Sequence, residues 1–366
     1  LAGLSYSLSL LKKGISLTVG GYTQRVSDLV QLVAKNLTVV KIDEQKFNNL
    51  KEAMLRALRN QKLATAISRG GYYNRLLWLK KHYDEDQLIA ALEPVTLADV
   101  QAYAKKLYER VYITAVAHGN WRDKNVKETV QLLLDEIKSK PFPEEERFVQ
   151  KLEWLDDGEN IRFSKKVQDT NNSISYGLQI GHYEYPLQAK LLMMSSIVEP
   201  DFYLQMRTNQ QLGYIVWSFN QRVEDDLFFK FVIQSGTYSP FELQKRIDKW
   251  LASSIGLFEK LSDKEFERHR ESLIVSLEKK GDSIAEMLDD YYYLATREKG
   301  NFDHKKELIE AVKQIKKEDV IAAARKFFMD KKTPRLLVLM RSKDNNEPVP
   351  SGVIAEVASF KNRKKK

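Results

Sequence analysis

Phe202-Tyr-Leu-Gln-Met-Arg-Thr-Asn-Gln-Gln-Leu-Gly-Tyr-Ile-Val-Trp217 decides the reading of this chain. A helix-like run carrying Arg207 ends there, Gly213 supplies a turn, and an apolar strand opens with Tyr214. Such a junction sets one cation and one phenol at the same place. Arginine keeps its charge in a protein and tyrosine keeps its proton at neutral pH, so the pair offers hydrogen-bond donors to a carbonyl oxygen that turns anionic as a peptide bond is cleaved. Tyr203, four residues before Arg207, falls on the same helical face, where it either lines that side or packs. Residue type alone also fits a plainer account, with Arg207 a surface charge and Tyr214 strand filler.

Outward from this stretch the chain repeats itself. Asp43-Glu-Gln-Lys-Phe-Asn-Asn-Leu-Lys-Glu-Ala-Met-Leu-Arg-Ala-Leu58 recurs as Ser262-Asp-Lys-Glu-Phe-Glu-Arg-His-Arg-Glu-Ser-Leu-Ile-Val-Ser-Leu277, with Phe47 matching Phe266. Val95-Thr-Leu-Ala-Asp-Val-Gln-Ala-Tyr-Ala-Lys105 recurs as Ile315-Lys-Lys-Glu-Asp-Val-Ile-Ala-Ala-Ala-Arg325, with Asp99 matching Asp319. Each of the latter pair is a capped amphipathic helix followed by an apolar strand, Tyr112–Ala117 in one unit and Leu336–Met340 in the other. In the same register Gly3 falls on Gly213. The second unit has a strand-like run at Ser173–Ile180 and a helix at Pro186–Ile197 ahead of that point, and the first unit is expected to lack their counterparts.

Two prolines and a charge run in Lys138-Ser-Lys-Pro-Phe-Pro-Glu-Glu-Glu-Arg147 break both periodicities and mark a boundary. The expected division is a truncated first domain over 1–140, a linker over 141–150, a second domain over 151–342 and a basic tail over 343–366. Strands alternating with long helices predict an α+β fold, two homologous sheet-plus-helices domains, the first without its N-terminal strand and helix. Lys245–Leu261 and Ile284–Thr296 carry apolar residues at helical spacing and belong to domain cores.

Met206-Arg-Thr-Asn-Gln-Gln-Leu-Gly-Tyr-Ile-Val216 resembles the Leu-Arg-Thr-x-Glu-Gln-Leu-Gly-Tyr-x-Val signature in the C-terminal half of the pitrilysin and insulysin zinc metallopeptidases, the inverzincins. Ala2-Gly-Leu-Ser-Tyr6 followed by Gly20-Gly-Tyr-Thr-Gln-Arg25 is similar to the start of that half, and the resemblance, closest to the bacterial pitrilysin type, runs from Leu1 to about Arg341. Met206 and Gln210 depart from the usual Leu and Glu without touching the two donors. The resemblance implies a two-half enzyme that degrades unfolded peptides. Its N-terminal half holds zinc, on the same or a separate chain, and its C-terminal half closes the chamber and supplies Arg207 and Tyr214 for transition-state stabilisation, with Tyr203 on the substrate side. Zinc would then lie outside this chain and the chain would be inactive alone. The alternative is an inactive partner subunit or binding scaffold of the same fold.

The family's zinc motif, His-x-x-Glu-His with a downstream Glu, is met by none of the five histidines, which stand singly at 82, 118, 182, 269 and 304. No metal ligand set is therefore expected here. Zero cysteines exclude a disulfide framework and a thiolate site but fit cytoplasm and periplasm alike. With 43% hydrophobic and 30% charged residues the composition is that of a folded protein, and no apolar run approaches the roughly 18 residues of a membrane span. The net charge of +9 is spread among acids on helix faces, so nucleic acid is not expected as a partner; Lys361-Asn-Arg-Lys-Lys-Lys366 reads as a disordered solubilising end. An unpaired sheet edge in the first unit would allow homo-oligomers.

Overall fold

The computed structural model describes residues 3–39 and 41–363, so Leu1 and Ala2 of the opening motif and the last three lysines of the tail lie outside the described residues. A hairpin of β1 (Ser5–Leu11) and β2 (Gly14–Gly20) leads into α1 (Thr23–Leu37), α2 (Glu44–Gln61), α3 (Ala66–Trp78), α4 (Glu85–Leu92) and α5 (Leu97–Leu107). The short strands β3 (Arg110–Val111) and β4 (Lys140–Pro141) flank α6 (Asp123–Ile137). Next come β5 (Asn160–Lys166), β6 (Asn172–His182), α7 (Tyr185–Tyr203) and a second hairpin, β7 (Ile215–Val223) and β8 (Asp226–Ser235). Helices α8 (Pro240–Glu259), α9 (Asp263–Glu278), α10 (Ile284–Thr296), α11 (His304–Gln314) and α12 (Lys317–Ala324) follow, then β9 (Arg335–Arg341), β10 (Val353–Ile354) and α13 (Val357–Lys361). Hairpin and five helices thus occur twice in the same order, and the fold is α+β. The repeated helices start where their caps direct: Thr96 and Asp99 at α5, and Ser262 and Glu265 at α9, form reciprocal capping boxes.

Contacts gather into two units. One holds residues 1–56, 86–149 and 280–302, the other 57–85, 150–279 and 303–366. The break at 149/150 falls at the end of the expected linker. Two segments, however, sit with the unit opposite to their place in sequence: 57–85, which carries α3, and 280–302, which carries α10. Each is the third helix of its repeat, so the exchange is reciprocal. Periodicity identifies a helix and its apolar stripe but not which core receives that stripe.

In the second unit six strands form one sheet in the order β10-β5-β9-β6-β8-β7. The pairs β5/β9 and β5/β10 are parallel, and β6 runs antiparallel to both β8 and β9. Side chains alternate across it. Ile174, Tyr176 and Leu178 of β6, Phe229, Phe231 and Ile233 of β8, and Leu337 and Leu339 of β9 form a core with α7, α8, α11 and α12. On the opposite face Phe163, Phe228, Leu336, Val338 and Met340 pack with Leu77 and Trp78 of α3 and with Phe360 of α13. Since both faces are covered, β9 reads as an unbroken apolar run.

The face under α3 is partly polar, and its groups are paired. Asp169 accepts from the Ala66 amide at 2.7 Å and so caps α3 from outside the helix, while Asn74 Nδ2 donates to Ser175 Oγ at 2.8 Å. Lys230 of β8 is buried there with Nζ 3.3 Å from Asn74 Oδ1. Burial, with the Arg75 charge adding to it, pushes the Lys230 ammonium down to about 8. A second internal charge is matched: Arg69 Nη2 meets Glu85 Oε1 at 2.7 Å, both about 5% exposed, with the guanidinium 4.4 Å from the Tyr72 ring.

The first unit has a two-stranded sheet, β1-β2, and its β1 is exposed along its whole length. Helix α1 packs on α6, where Ser27 and Thr129 hydroxyls meet at 2.8 Å and Gln31 Nε2 donates to Glu136 at 2.9 Å. The expected strand at Tyr112–Ala117 is not formed. Arg110 and Val111 alone pair, in parallel with Lys140 and Pro141, and residues 112–117 run on without a ladder. In the second unit β9 has β5 on one side and β6 on the other; among the described residues no such strands flank 112–117, and an apolar run without a neighbour makes no strand.

Of the run 361–366 expected to be a disordered end, Lys361, Asn362 and Arg363 are described and are held by the fold, and the last three lysines lie outside the described residues. Val353 and Ile354 add to the sheet edge beside Arg162 and Phe163, and Phe360 is fully buried. Lys361 Nζ donates to the Leu79 carbonyl at 3.2 Å, and Arg363 Nε to Glu159 at 3.1 Å. Strand pairing, one buried aromatic ring and two cations bonded to carbonyl and carboxylate groups hold the segment; the net basic composition hid it.

Lys230 gives the second unit a pH dependence of defined sign. Its proton is held to about pH 10.5 in the unfolded chain and lost near 8 in the folded one, so the group costs stability below pH 8 and that cost disappears as pH rises to 10.5. In urea unfolding, wild type should therefore gain stability relative to Lys230→Met across that window. A difference that stays flat with pH would mean that the amine keeps its ordinary affinity for protons.

Candidate functional site

Arg207 does not lie in a regular α-helix. After Tyr203 the helix widens into a π-turn over Leu204–Asn209, closed by the Gln210 amide on the Gln205 carbonyl at 3.0 Å. Such wide turns occur often at functional positions. The chain reverses at Gln211, whose φ of 50° is left-handed and uncommon for a residue with a side chain. The Leu212 amide then bonds back to the Met206 carbonyl at 2.9 Å, and both side chains are buried.

Gly213 has a different duty from the one its position suggests. It does not supply the left-handed turn; its backbone passes so close to β8 that a Cβ would stand 1.8 Å from the Gln234 carbonyl oxygen. Only glycine fits such an approach. Strand β7 begins at Ile215, one residue later than the sequence predicts, and Tyr214 occupies the bend before it.

The turn brings Arg207 and Tyr214 together: the guanidinium carbon lies 5.2 Å from the Tyr214 ring centroid, a cation–π stack. Tyr214 is 84% exposed, so its hydroxyl faces solvent. Arg207 is half-buried and its Nε is sequestered without a hydrogen-bond partner among the described residues. Fixed charge, a free phenol and unspent donors converge on one spot. Tyr203 is half exposed one turn earlier, and no ring or hydrogen-bond contact among the described residues joins it to the pair. Trp217, 54% exposed on the edge strand β7, stands near in sequence and was not singled out from sequence, nor was Arg246, which donates to the Gln210 side chain at 3.1 Å. An isolated arginine on a helix face carries no signal of such a bond.

The residues present do not fit a zinc ion. Among the described residues no group of three or more His, Asp or Glu side chains is placed to hold a metal. Four of the five histidines have other partners: the His118 ring lies tilted against Tyr291, His182 Nδ1 pairs with Asp226, His269 Nδ1 with Ser196 Oγ at 2.6 Å, and His304 Nδ1 with Tyr185 at 3.2 Å. Burial, then the Arg268 charge, lowers the His269 pKa below its ordinary value. No helix is long and apolar enough to cross a membrane among the described residues.

A β-hairpin followed by five helices occurs twice, and in the second unit an Arg–Tyr pair stands at a π-turn. Residues 1–91 match the family described as the middle or third domain of peptidase M16, and residues 193–292 match that described as the C-terminal lobe domain 4 of PQQ synthase PqqF-like proteins. The chain is 25% identical over 379 residues to a nardilysin-like protein of Arabidopsis thaliana, covering 100% of this chain and 37% of that one. It is 27% identical over 330 residues to human insulin-degrading enzyme, covering 88% and 32%. The chain thus spans about a third of the length of these relatives. Its fold is that of the pitrilysin crystal structure (TM-score 0.85, 18% identity, 98% of this chain and 39% of that one) and of a peptidase M16 inactive domain from Pseudomonas fluorescens (TM-score 0.69, 14% identity, 95% and 83%). These matches make the chain similar to the pitrilysin- and insulysin-like M16 metallopeptidases, through a middle-or-third-domain match at its start and a C-terminal-lobe match further on.

The close approach at Gly213 separates two glycines that look alike in sequence. Gly213→Ala should cost about 3 kcal/mol, since the Gln234 carbonyl is backbone and cannot step aside. Gly256→Ala in α8, where a Cβ meets nothing within 4 Å, should stabilise by roughly 0.5–1 kcal/mol. Urea unfolding midpoints of the two variants, moving in opposite directions from wild type, check this.

Proposed function

We propose that this chain is the non-catalytic part of a zinc metalloendopeptidase that degrades unfolded peptides, and that Arg207 and Tyr214 donate hydrogen bonds to the oxyanion formed as the peptide bond breaks. The observation that carries the reading is the stacked pair itself. The guanidinium holds the Tyr214 ring by its face, and the phenol hydroxyl is left free at an exposed bend. Donors fixed before the reaction stabilise developing charge far more than mobile ones, because nothing must reorganise as the charge appears. Tyr203, half exposed, is assigned to the substrate side.

Zinc and the general base belong to another segment in this reading, on the same polypeptide or on a partner. Likeness to the Pseudomonas fluorescens inactive domain, of which this chain covers 83%, favours a second reading, a separate non-catalytic subunit. The two differ in where the zinc half is encoded. They agree on the role of the pair.

The purified 366-residue chain should bind no stoichiometric zinc and cleave no peptide. Metal analysis with one tightly held zinc per chain, and chelator-sensitive proteolysis, would refute this. In the assembled enzyme, Tyr214→Phe removes a hydroxyl and Arg207→Lys loses the planar fork, so each should lower kcat on the order of a hundredfold with KM changed little. Loss confined to KM would make the pair a ground-state clamp, and neutrality in both would favour a scaffold.

A further inference from the structure

The reversal that joins Arg207 to Tyr214 is gripped at both ends by one neighbouring segment. At one end, Gly213 is pressed against the Gln234 carbonyl, the last but one residue of β8. The chain just beyond is pinned, since the buried Ser235 Oγ accepts from the amides of Thr237 at 3.2 Å and Tyr238 at 2.9 Å. Ser239 then caps α8 through the Glu242 amide at 3.1 Å. At the other end stands Arg246, one turn further along α8. Its Nη1 donates to Gln210 Oε1 at 3.1 Å and its Nε to Glu242 Oε1 at 2.7 Å, with the guanidinium 5.7 Å from the Tyr238 ring.

These bonds have a direction of cause. Glu242 lies in the first turn of α8, which the Ser239 cap holds, and it orients the Arg246 fork along the helix. The planar fork then presents a second donor to Gln210, the residue that closes the π-turn and immediately precedes the left-handed Gln211. The Gln210 Nε2 is left against Met206 Sδ at 3.8 Å, beneath the same turn. A left-handed residue with a side chain persists only where its surroundings hold it.

We propose that Arg246 is a positioning residue: by holding the Gln210 side chain it fixes the reversal at Gln211 and hence the stacking of Arg207 on Tyr214. The catalytic consequence rests on the oxyanion reading given above; the structural consequence does not. Lysine at 246 keeps the charge but has no fork to reach Glu242 and Gln210 together, so it should act like a loss.

The test has two arms. In the 366-residue chain, Arg246→Met should raise hydrogen exchange at the Gln210 and Leu212 amides, which close the turn, about tenfold, the scale set by one bond to a charged group. Exchange in β6 should not change. Gln210→Ala should reproduce the effect, and Gln210→Glu, which keeps an acceptor for Arg246, should not. Unchanged exchange at both amides in Arg246→Met overturns the proposal. In the assembled enzyme, Arg246→Met should lower kcat about tenfold with KM within about twofold, and this loss should vanish in an Arg207→Lys background. A fall that simply adds to that of Arg207→Lys, or normal kcat where Arg207→Lys is impaired, overturns the catalytic consequence while the oxyanion reading stands. If Arg207→Lys and Tyr214→Phe are themselves neutral, the oxyanion reading is what fails, and the exchange arm still decides whether Arg246 holds the turn.

Discussion

The contact between the Gly213 backbone and the Gln234 carbonyl sets the terms for the face of the second unit that carries Arg207 and Tyr214. It fixes how β7 leaves the preceding turn and thereby where Tyr214 stands. The turn must reverse direction within three residues of the π-turn, which forces Gln211 into a left-handed conformation and brings the phenol under the guanidinium. Met206 and Leu212, both buried, anchor the two limbs in the core. The geometry of the pair is thus inherited from the sheet.

The sheet in turn owes its rigidity to cover on both faces. One face is ordinary apolar packing against α7 and α8. The other mixes hydrophobic contact with a small polar set in which Asn74, Ser175 and Lys230 share their bonds. Buried polar groups of this sort are satisfied in one arrangement and costly in others. They act on register: a slip of β6 by one residue would turn Ser175 to the apolar side and Tyr176 away from Asp248 and Arg335, its hydroxyl partners at 2.9 and 2.8 Å.

Much of this was legible in the sequence because it depends on local pattern. The cap before α5, the apolar periodicity of α8 and α10, and the matching of Phe47 to Phe266 are all short-range signals, and the elements formed where they pointed. So did the meeting of Arg207 and Tyr214, which a resemblance over a specific motif identified. What stayed hidden depends on partners distant in sequence. Tyr112–Ala117 is an apolar run like a strand's, yet a strand exists only beside another. The run from Lys361 reads as a charged end, yet Phe360 just before it finds a core and Lys361 and Arg363 find oxygen atoms. The positive φ at Gln211 has no composition signal at all, since glutamine gives no warning of it, and the neighbouring glycine misdirects.

The reciprocal placing of α3 and α10 bears on the order in which the chain can complete itself during synthesis. The core of the second unit is largely encoded after residue 150, but α3, which covers the back of its sheet, is made long before. The first unit has the opposite history: it waits for residues 280–302 after residue 149 has already emerged. At typical translation speeds that interval is on the order of ten seconds, during which α1, α2 and α5 lack a piece of their unit. Neither half of the chain is therefore a module that can be cut away at the proline-rich linker and expected to fold by itself.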